Sequence, residues 1–144
     1  MIVHAGLIAR RDQGPWRGVL IEGPSGSGKS DLALRALERG FRLVADDRVL
    51  LWVSAGRLFG RAPDPLAGLM EVRGLGVAPQ AALRLCEIVM AVRSGPPERL
   101  PEPKAAAHLG VHIPLIELDF HEASAPAKLG RALASFDASA KRGI

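Results

Sequence analysis

Asparagine, threonine and tyrosine are absent from this chain of 144 residues, and cysteine occurs once, at Cys86. A single cysteine cannot close an internal disulfide, which excludes the disulfide-stapled secreted scaffolds and favours a reducing, cytoplasmic setting. No apolar run approaches the ~18 residues that a membrane-crossing helix needs. The opening Met1-Ile2-Val3-His4-Ala5-Gly6 lacks the basic start and apolar stretch of a secretory signal. Aromatic residues make up 4%, and lysine appears only four times. The formal charge of +4 and the pI near 10.0 therefore come from arginine scattered along the chain. A nucleic-acid module would show a basic cluster interleaved with stacking rings, so neither a nucleic acid nor a membrane is expected as partner. A diffuse arginine excess suits a nucleotide ligand or an acidic protein surface. What remains is ordinary globular composition, 48% apolar and 24% charged. A chain of this length buries about two-thirds of its surface, enough for one self-sufficient domain over residues 1–144.

The order of elements is legible from punctuation and periodicity. Val3 to Arg10 reads as a strand, followed by a turn at Arg11-Asp12-Gln13-Gly14-Pro15 and a second short apolar strand over Arg17–Glu22. Gly23 to Gly28 carries three glycines and a proline and cannot be regular structure. From Lys29 the pattern is helical, with Ala33, Ala36 and Leu37 on one face and Gly40 as the stop. Phe41 to Ala45 then reads as a strand ending in Asp46-Asp47, joined to the Arg17–Glu22 strand by a parallel crossover. Residues 48–53 and 57–59 suggest a hairpin, and Leu83 to Val92 a strand. Residues 94–104 hold four prolines and suggest a mobile loop. Val111 to Leu118 suggests a strand that Pro114 should place at an edge or bulge. Ser124-Ala125-Pro126 starts a terminal helix whose face is traced by Leu129, Leu133 and Phe136.

The most informative segment is Gly23-Pro24-Ser25-Gly26-Ser27-Gly28-Lys29-Ser30, which satisfies G-x-x-x-x-G-K-[ST] between a predicted strand and a predicted helix. Backbone N–H groups that wrap a triphosphate need glycines at the turns, and the following helix turns its positive end toward the phosphates. Lys29 then reaches the β- and γ-phosphates, and the Ser30 hydroxyl can ligate Mg²⁺. The absence of asparagine removes the Asn-Lys-x-Asp base reader of guanine switches. Motor and transporter ATPases need larger domains, which leaves a small phosphotransferase.

Asp46 and Asp47 close an apolar strand 16 and 17 residues after Ser30, at the edge where open sheets bind ligands. Adjacent side chains at a strand end point different ways, so one can serve the metal shell while the other accepts a proton from an attacking hydroxyl. A solvated strand-to-turn corner is the competing reading. By pattern alone Glu71, ahead of a glycine-rich turn, reads as solvated rather than catalytic, and Arg99 as a surface arginine, with a mobile cation over the transferring phosphate as the alternative. His4 carries no internal signal. His108 and His112 have i,i+4 spacing, but Gly110 and Pro114 argue against the helix that would align them on zinc.

Three blocks together resemble the catalytic domain of the HPr kinase/phosphorylase family, bacterial enzymes that act on a serine of the phosphocarrier protein HPr. They are the His4-Ala5-Gly6 opening, the unbroken run from Gly23 to Val49, and Met70-Glu71-Val72-Arg73-Gly74-Leu75-Gly76-Val77, similar to the family's E-x-R-G-L-G signature. The likeness is close over residues 4–77. It implies an α/β fold: a P-loop kinase domain of the phosphoenolpyruvate-carboxykinase-like type, a mixed sheet with flanking helices. It further implies ATP and Mg²⁺, phosphate transfer to the HPr serine with a reverse phosphorolysis in the same site, a homo-oligomer, and absence of the N-terminal domain of longer members. Carried over by position, Gly23 to Ser30 bind the nucleotide, with Lys29 on its phosphates. Ser30, Asp47 and Glu71 match metal positions. Asp47 also matches the proton acceptor with Asp46 as its partner, His4 the catalytic-site histidine and Arg99 a loop arginine. Glu71, Arg73, Gly74 and Gly76 form the signature loop. The basic segment linked to the reverse reaction has no clear counterpart, since Ile113-Pro114-Leu115-Ile116-Glu117-Leu118 is apolar and acidic. A small-metabolite kinase and a non-catalytic nucleotide-dependent regulator are the alternatives.

Overall fold

A computed structural model describes residues 1–141. The strands are β1 (Ile2–Val3), β2 (Ala5–Arg10), β3 (Arg17–Glu22), β4 (Arg42–Ala45), β5 (Val49–Ser54), β6 (Arg57–Arg61), β7 (Leu69–Val72), β8 (Gly76–Pro79), β9 (Cys86–Ser94), β10 (Lys104–His108) and β11 (Val111–Leu118). The helices are α1 (Lys29–Leu37) and α2 (Ala125–Lys141), with a single 3₁₀ turn at Asp64–Leu66. The fold is a mixed α/β sheet with few helices. Its main path runs β1-β5-β6-β9-β3-β2-β4, and β11 joins the far end of β9 with β10 outside it. β3, β9 and β11 are parallel neighbours, and the remaining pairs are antiparallel. β7 and β8 form a separate hairpin.

β2 and β3 are central, and their sequences show it. Leu7, Ile8, Ala9, Val19, Leu20 and Ile21 are completely buried, so both faces of each strand are covered. Such strands read as continuous apolar runs rather than alternating ones. One face of the sheet packs Ile8, Val19 and Ile21 against Leu32, Ala33 and Ala36 of α1 and Ala125, Leu129 and Leu133 of α2. The other face is closed by the sheet's own curl, with Leu7, Leu20 and Ile88 meeting Leu51 and Leu58 of the β5–β6 hairpin and Ile113 and Leu115 of β11. Each such side chain taken out of water contributes about 1.5–3 kcal/mol.

Three expectations need correction. The strands flanking α1 run in the same direction but are not neighbours. β2 lies between them, antiparallel to both, because the short turn after Arg10 folds β2 back on β3 over a six-residue register. The start of β2 therefore falls on the same sheet edge as the ends of β3 and β4. Pro114 does not mark an edge strand: β11 has neighbours on both sides, but the parallel ladder to β9 begins only at Leu115. Pro114, lacking an N–H, faces β10 alone. The third concerns β10 and β9. The Lys104-Ala105-Ala106-Ala107-His108 strand has neither alternation nor β-branched residues to announce it, and the strand expected from Leu83 begins at Cys86.

Candidate active site

The loop from Gly23 to Gly28 leaves the end of β3 and enters α1. Gly26 (φ 81°) and Gly28 (φ 99°) occupy the left-handed region, where a Cβ is strained, so these turns require glycine. Gly28 caps α1 and its carbonyl accepts the first helical bond, from Leu32 N–H at 2.9 Å. The amides of Lys29, Ser30 and Asp31 therefore open the helix without intrahelical acceptors. Lys29 is buried, its ammonium donating to the Gly23 and Pro24 carbonyls at 2.8 and 3.0 Å. Its charge is held at the loop before any ligand arrives.

Asp46 is the hub beside the loop. It is buried at the end of β4 and accepts hydrogen bonds from Ser30 Oγ at 2.7 Å and from the Glu71 amide at 2.8 Å. One carboxylate thus ties α1, β4 and β7 together. Because the Ser30 proton points at Asp46, the lone pairs of Ser30 Oγ remain available to a cation. Asp47, the next residue, sits at φ 67° and its side chain is half exposed. Its Oδ1 lies 2.6 Å from His4 Nε2. An ionised carboxylate only accepts, so the imidazole donates, leaving the second oxygen of Asp47 free. His4 occupies the break between β1 and β2, and the Ala5 amide is bonded to the Asp47 carbonyl at 3.2 Å. This backbone contact follows from the interposed position of β2.

These groups surround one cleft of about 360 Å³, floored by Gly26, Gly28, Lys29 and Ser30 and walled by His4, Asp47, Glu71 and Arg73. Glu71 and Arg73 come from the β7–β8 hairpin, whose turn passes through Gly74 at φ 87° with the Leu75 amide bonded to the Val72 carbonyl. Gly74 and Gly76 shape that turn and do not line the cleft. Arg99 stands elsewhere. It lies in the loop after β9 and lines a separate groove of about 1,020 Å³ against β11, so the structure does not bring it to the phosphate loop. His108 and His112 sit on neighbouring strands, and His108 is 3.2 Å from Glu22, not beside a second ligand. His121 also lines the cleft, and nothing in its local sequence signals it. It reaches the loop because Arg35 of α1 donates to the Phe120 and Glu122 carbonyls on either side of it.

Among the described residues no group of three or more His, Cys, Asp or Glu side chains forms a ready-made metal cage. The donor set nonetheless fits Mg²⁺, which keeps several waters and is bound by one or two carboxylates together with substrate phosphates. Ser30, Asp47 and Glu71 are the oxygen donors on hand, and the glycine turns with three open amides fit a polyphosphate.

Residues 14–83 match the HPr Serine kinase C-terminal domain. Over this segment the chain is similar to the HPr kinase/phosphorylase family. It is 52% identical over 60 residues to the HPr kinase/phosphorylase of Clostridium tetani, covering 42% of this chain and 20% of that protein. To that of Clostridium perfringens it is 48% identical over 66 residues, 46% of this chain and 22% of that protein. The chain thus spans about a fifth of the length of these relatives through the matched segment. The solved Hpr(Ser) kinase/phosphatase of Coxiella burnetii has a TM-score of 0.83 at 23% identity, covering 98% of this chain and 99% of that one. At that identity the likeness carries the fold, and it extends over β9 to α2, beyond the HPr-kinase-like segment.

Proposed function

We propose that this chain is an HPr-type protein-serine kinase, moving the γ-phosphoryl group of ATP to a serine hydroxyl of the phosphocarrier HPr. The observation that carries the reading is the His4–Asp47 pair, set across one cleft from Lys29 and Ser30. Mg²⁺ held by Ser30 and Glu71 would neutralise charge on the phosphates. The rest is the work of the chain. The amides of the Gly23–Gly28 loop and of Lys29 cradle the β- and γ-phosphates, and the Lys29 ammonium follows the charge that develops as the γ-phosphoryl group moves. The free oxygen of Asp47 takes the proton of the serine hydroxyl as its oxygen bonds to the γ-phosphorus and the bond to the β-phosphate oxygen breaks, releasing ADP. His4 fixes the orientation of Asp47, and Asp46 that of Ser30. Arg73 also lines the cleft, and no step is given to Arg99.

The test is incubation with γ-labelled ATP and purified HPr, followed by location of the label. Label on an HPr serine supports the reading. Label on a small metabolite, or ATP-dependent association without label, replaces it with one of the two alternatives. Phosphorylated HPr with inorganic phosphate, assayed for pyrophosphate release, decides whether the reverse reaction runs in the same site.

A further inference from the structure

His121 is an imidazole for which neither the phosphate-loop motif nor the acidic residues have a use. It sits in the turn between β11 and α2, 91 positions after Ser30, yet it lies directly over the mouth of the loop. A Cβ built on Gly28 would meet His121 Cε1 at 3.1 Å, Nδ1 at 3.5 Å and Nε2 at 3.7 Å. Three atoms of the ring therefore lie close above the residue that caps α1, where the amides of Lys29, Ser30 and Asp31 begin.

The backbone that presents this ring is held at every link. The His121 amide donates to Asp119 Oδ1 at 2.9 Å, and the Glu122 amide to the Asp119 carbonyl at 3.2 Å. Phe120 is buried, and Arg35 bonds the carbonyls of Phe120 and Glu122. The side chain is treated the opposite way: it is exposed to the cleft, and neither ring nitrogen has a hydrogen-bond partner among the described residues. A pinned backbone carrying an unpartnered N–H donor beside open helix amides is an arrangement suited to an anion. A merely packed ring would need no such presentation.

We propose that His121 is a polyphosphate-contacting residue, donating a ring N–H to the phosphates of a nucleotide seated on the Gly23–Ser30 loop. The inference rests on the nucleotide-binding reading above and adds a donor from a distant part of the chain to that site. It also gives Gly28 a second constraint, since any side chain there would displace the ring.

The test is equilibrium binding of Mg-ADP and of inorganic tripolyphosphate with Mg²⁺ to the wild-type chain and to His121→Ala, His121→Phe and His121→Gln. Thermal midpoints serve as the control for folding. A hydrogen bond to a charged group corresponds to a weakening of about tenfold or more when its donor is removed. Expected is that loss for both ligands in His121→Ala and equally in His121→Phe, which keeps a ring over Gly28 but no donor, with partial recovery in His121→Gln. Wild-type affinity in His121→Phe would mean that the ring only packs, and overturns the inference. So would a loss confined to Mg-ADP with tripolyphosphate unaffected, which places the contact on the nucleoside. If the wild-type chain binds neither ligand, the nucleotide reading itself falls, a result distinct from the other two.

Discussion

Asp46→Asn separates the stability of the site from its chemistry. The wild-type carboxylate is 6% exposed and accepts two bonds, 2.7 Å from Ser30 Oγ and 2.8 Å from the Glu71 amide. Asparagine has one acceptor oxygen and one donor amide in the same volume. The oxygen can satisfy the Glu71 N–H, but the amide must then donate to Ser30 Oγ, reversing that bond. Two charge-assisted bonds become two neutral ones, a loss of about 1–3 kcal/mol, or a fall in Tm of about 3–9 °C. The chain therefore stays folded. The effect on the cation is larger, because the Ser30 lone pair that faced it now accepts from the asparagine amide and a unit of negative charge is gone. Changes to a residue that orients a metal ligand typically cost 10–100-fold in metal affinity or activity. Expected is at least a tenfold rise in the Mg²⁺ concentration that half-saturates label transfer to HPr, measured beside a thermal melt of the same preparation. A folded Asp46→Asn variant with the wild-type Mg²⁺ requirement would refute the argument that Asp46 orients Ser30.

Asp47→Asn and Lys29→Ala should each lower phosphoryl transfer by 10²–10³-fold or more, the usual range for losing one charge-stabilising contact. Asp47→Asn should also leave the melt nearly unchanged because Asp47 is half exposed, and retention of a tenth of wild-type transfer removes it as proton acceptor. Burial, reinforced by nearby Glu87, pushes the Cys86 thiol up to about 12. Its thiolate fraction at pH 8 is then about one in 10⁴, and a thiol reagent should label it only as fast as the chain unfolds. The Lys104 ammonium bonded to Glu117 holds that carboxyl below its ordinary value, while Glu117 raises Lys104. The stabilisation this pair provides is present above the ordinary carboxylate value and is lost as pH falls through the lowered Glu117 value. On the basic side it persists below the ordinary lysine value and is lost as pH rises through the raised Lys104 value. An NMR titration should find the Glu117 midpoint below that of a free glutamate, and Lys104→Gln should return it upward. Gly18→Ala should destabilise by about 1–3 kcal/mol, since its Cβ would sit 2.6 Å from both Cys86 Sγ and the Glu87 carbonyl; an unchanged denaturation midpoint contradicts that packing.

The sequence alone determined the parts of this protein whose physics is local. Glycine spacing, the Lys29-Ser30 pair and the helix pattern after them specify a phosphate loop, because turn geometry and helix capping depend on residues a few positions apart. The apolar runs Arg17–Glu22 and Phe41–Ala45 likewise declared themselves as buried strands. The tertiary structure decided which of these elements are neighbours. Pairing of β2 between β3 and β4 is a choice among long-range contacts that no local pattern encodes, and that choice carries His4 to Asp47. The placement of His121 over Gly28 is of the same kind, set by packing of residues more than 90 positions apart in the chain, and the other groove that holds Arg99 is built with residues of β11 and α2. Asp46 shows the division within one residue. Its acidity and its strand-end position were legible, but its two partners, Ser30 and the Glu71 amide, come from different elements and meet only in the folded chain.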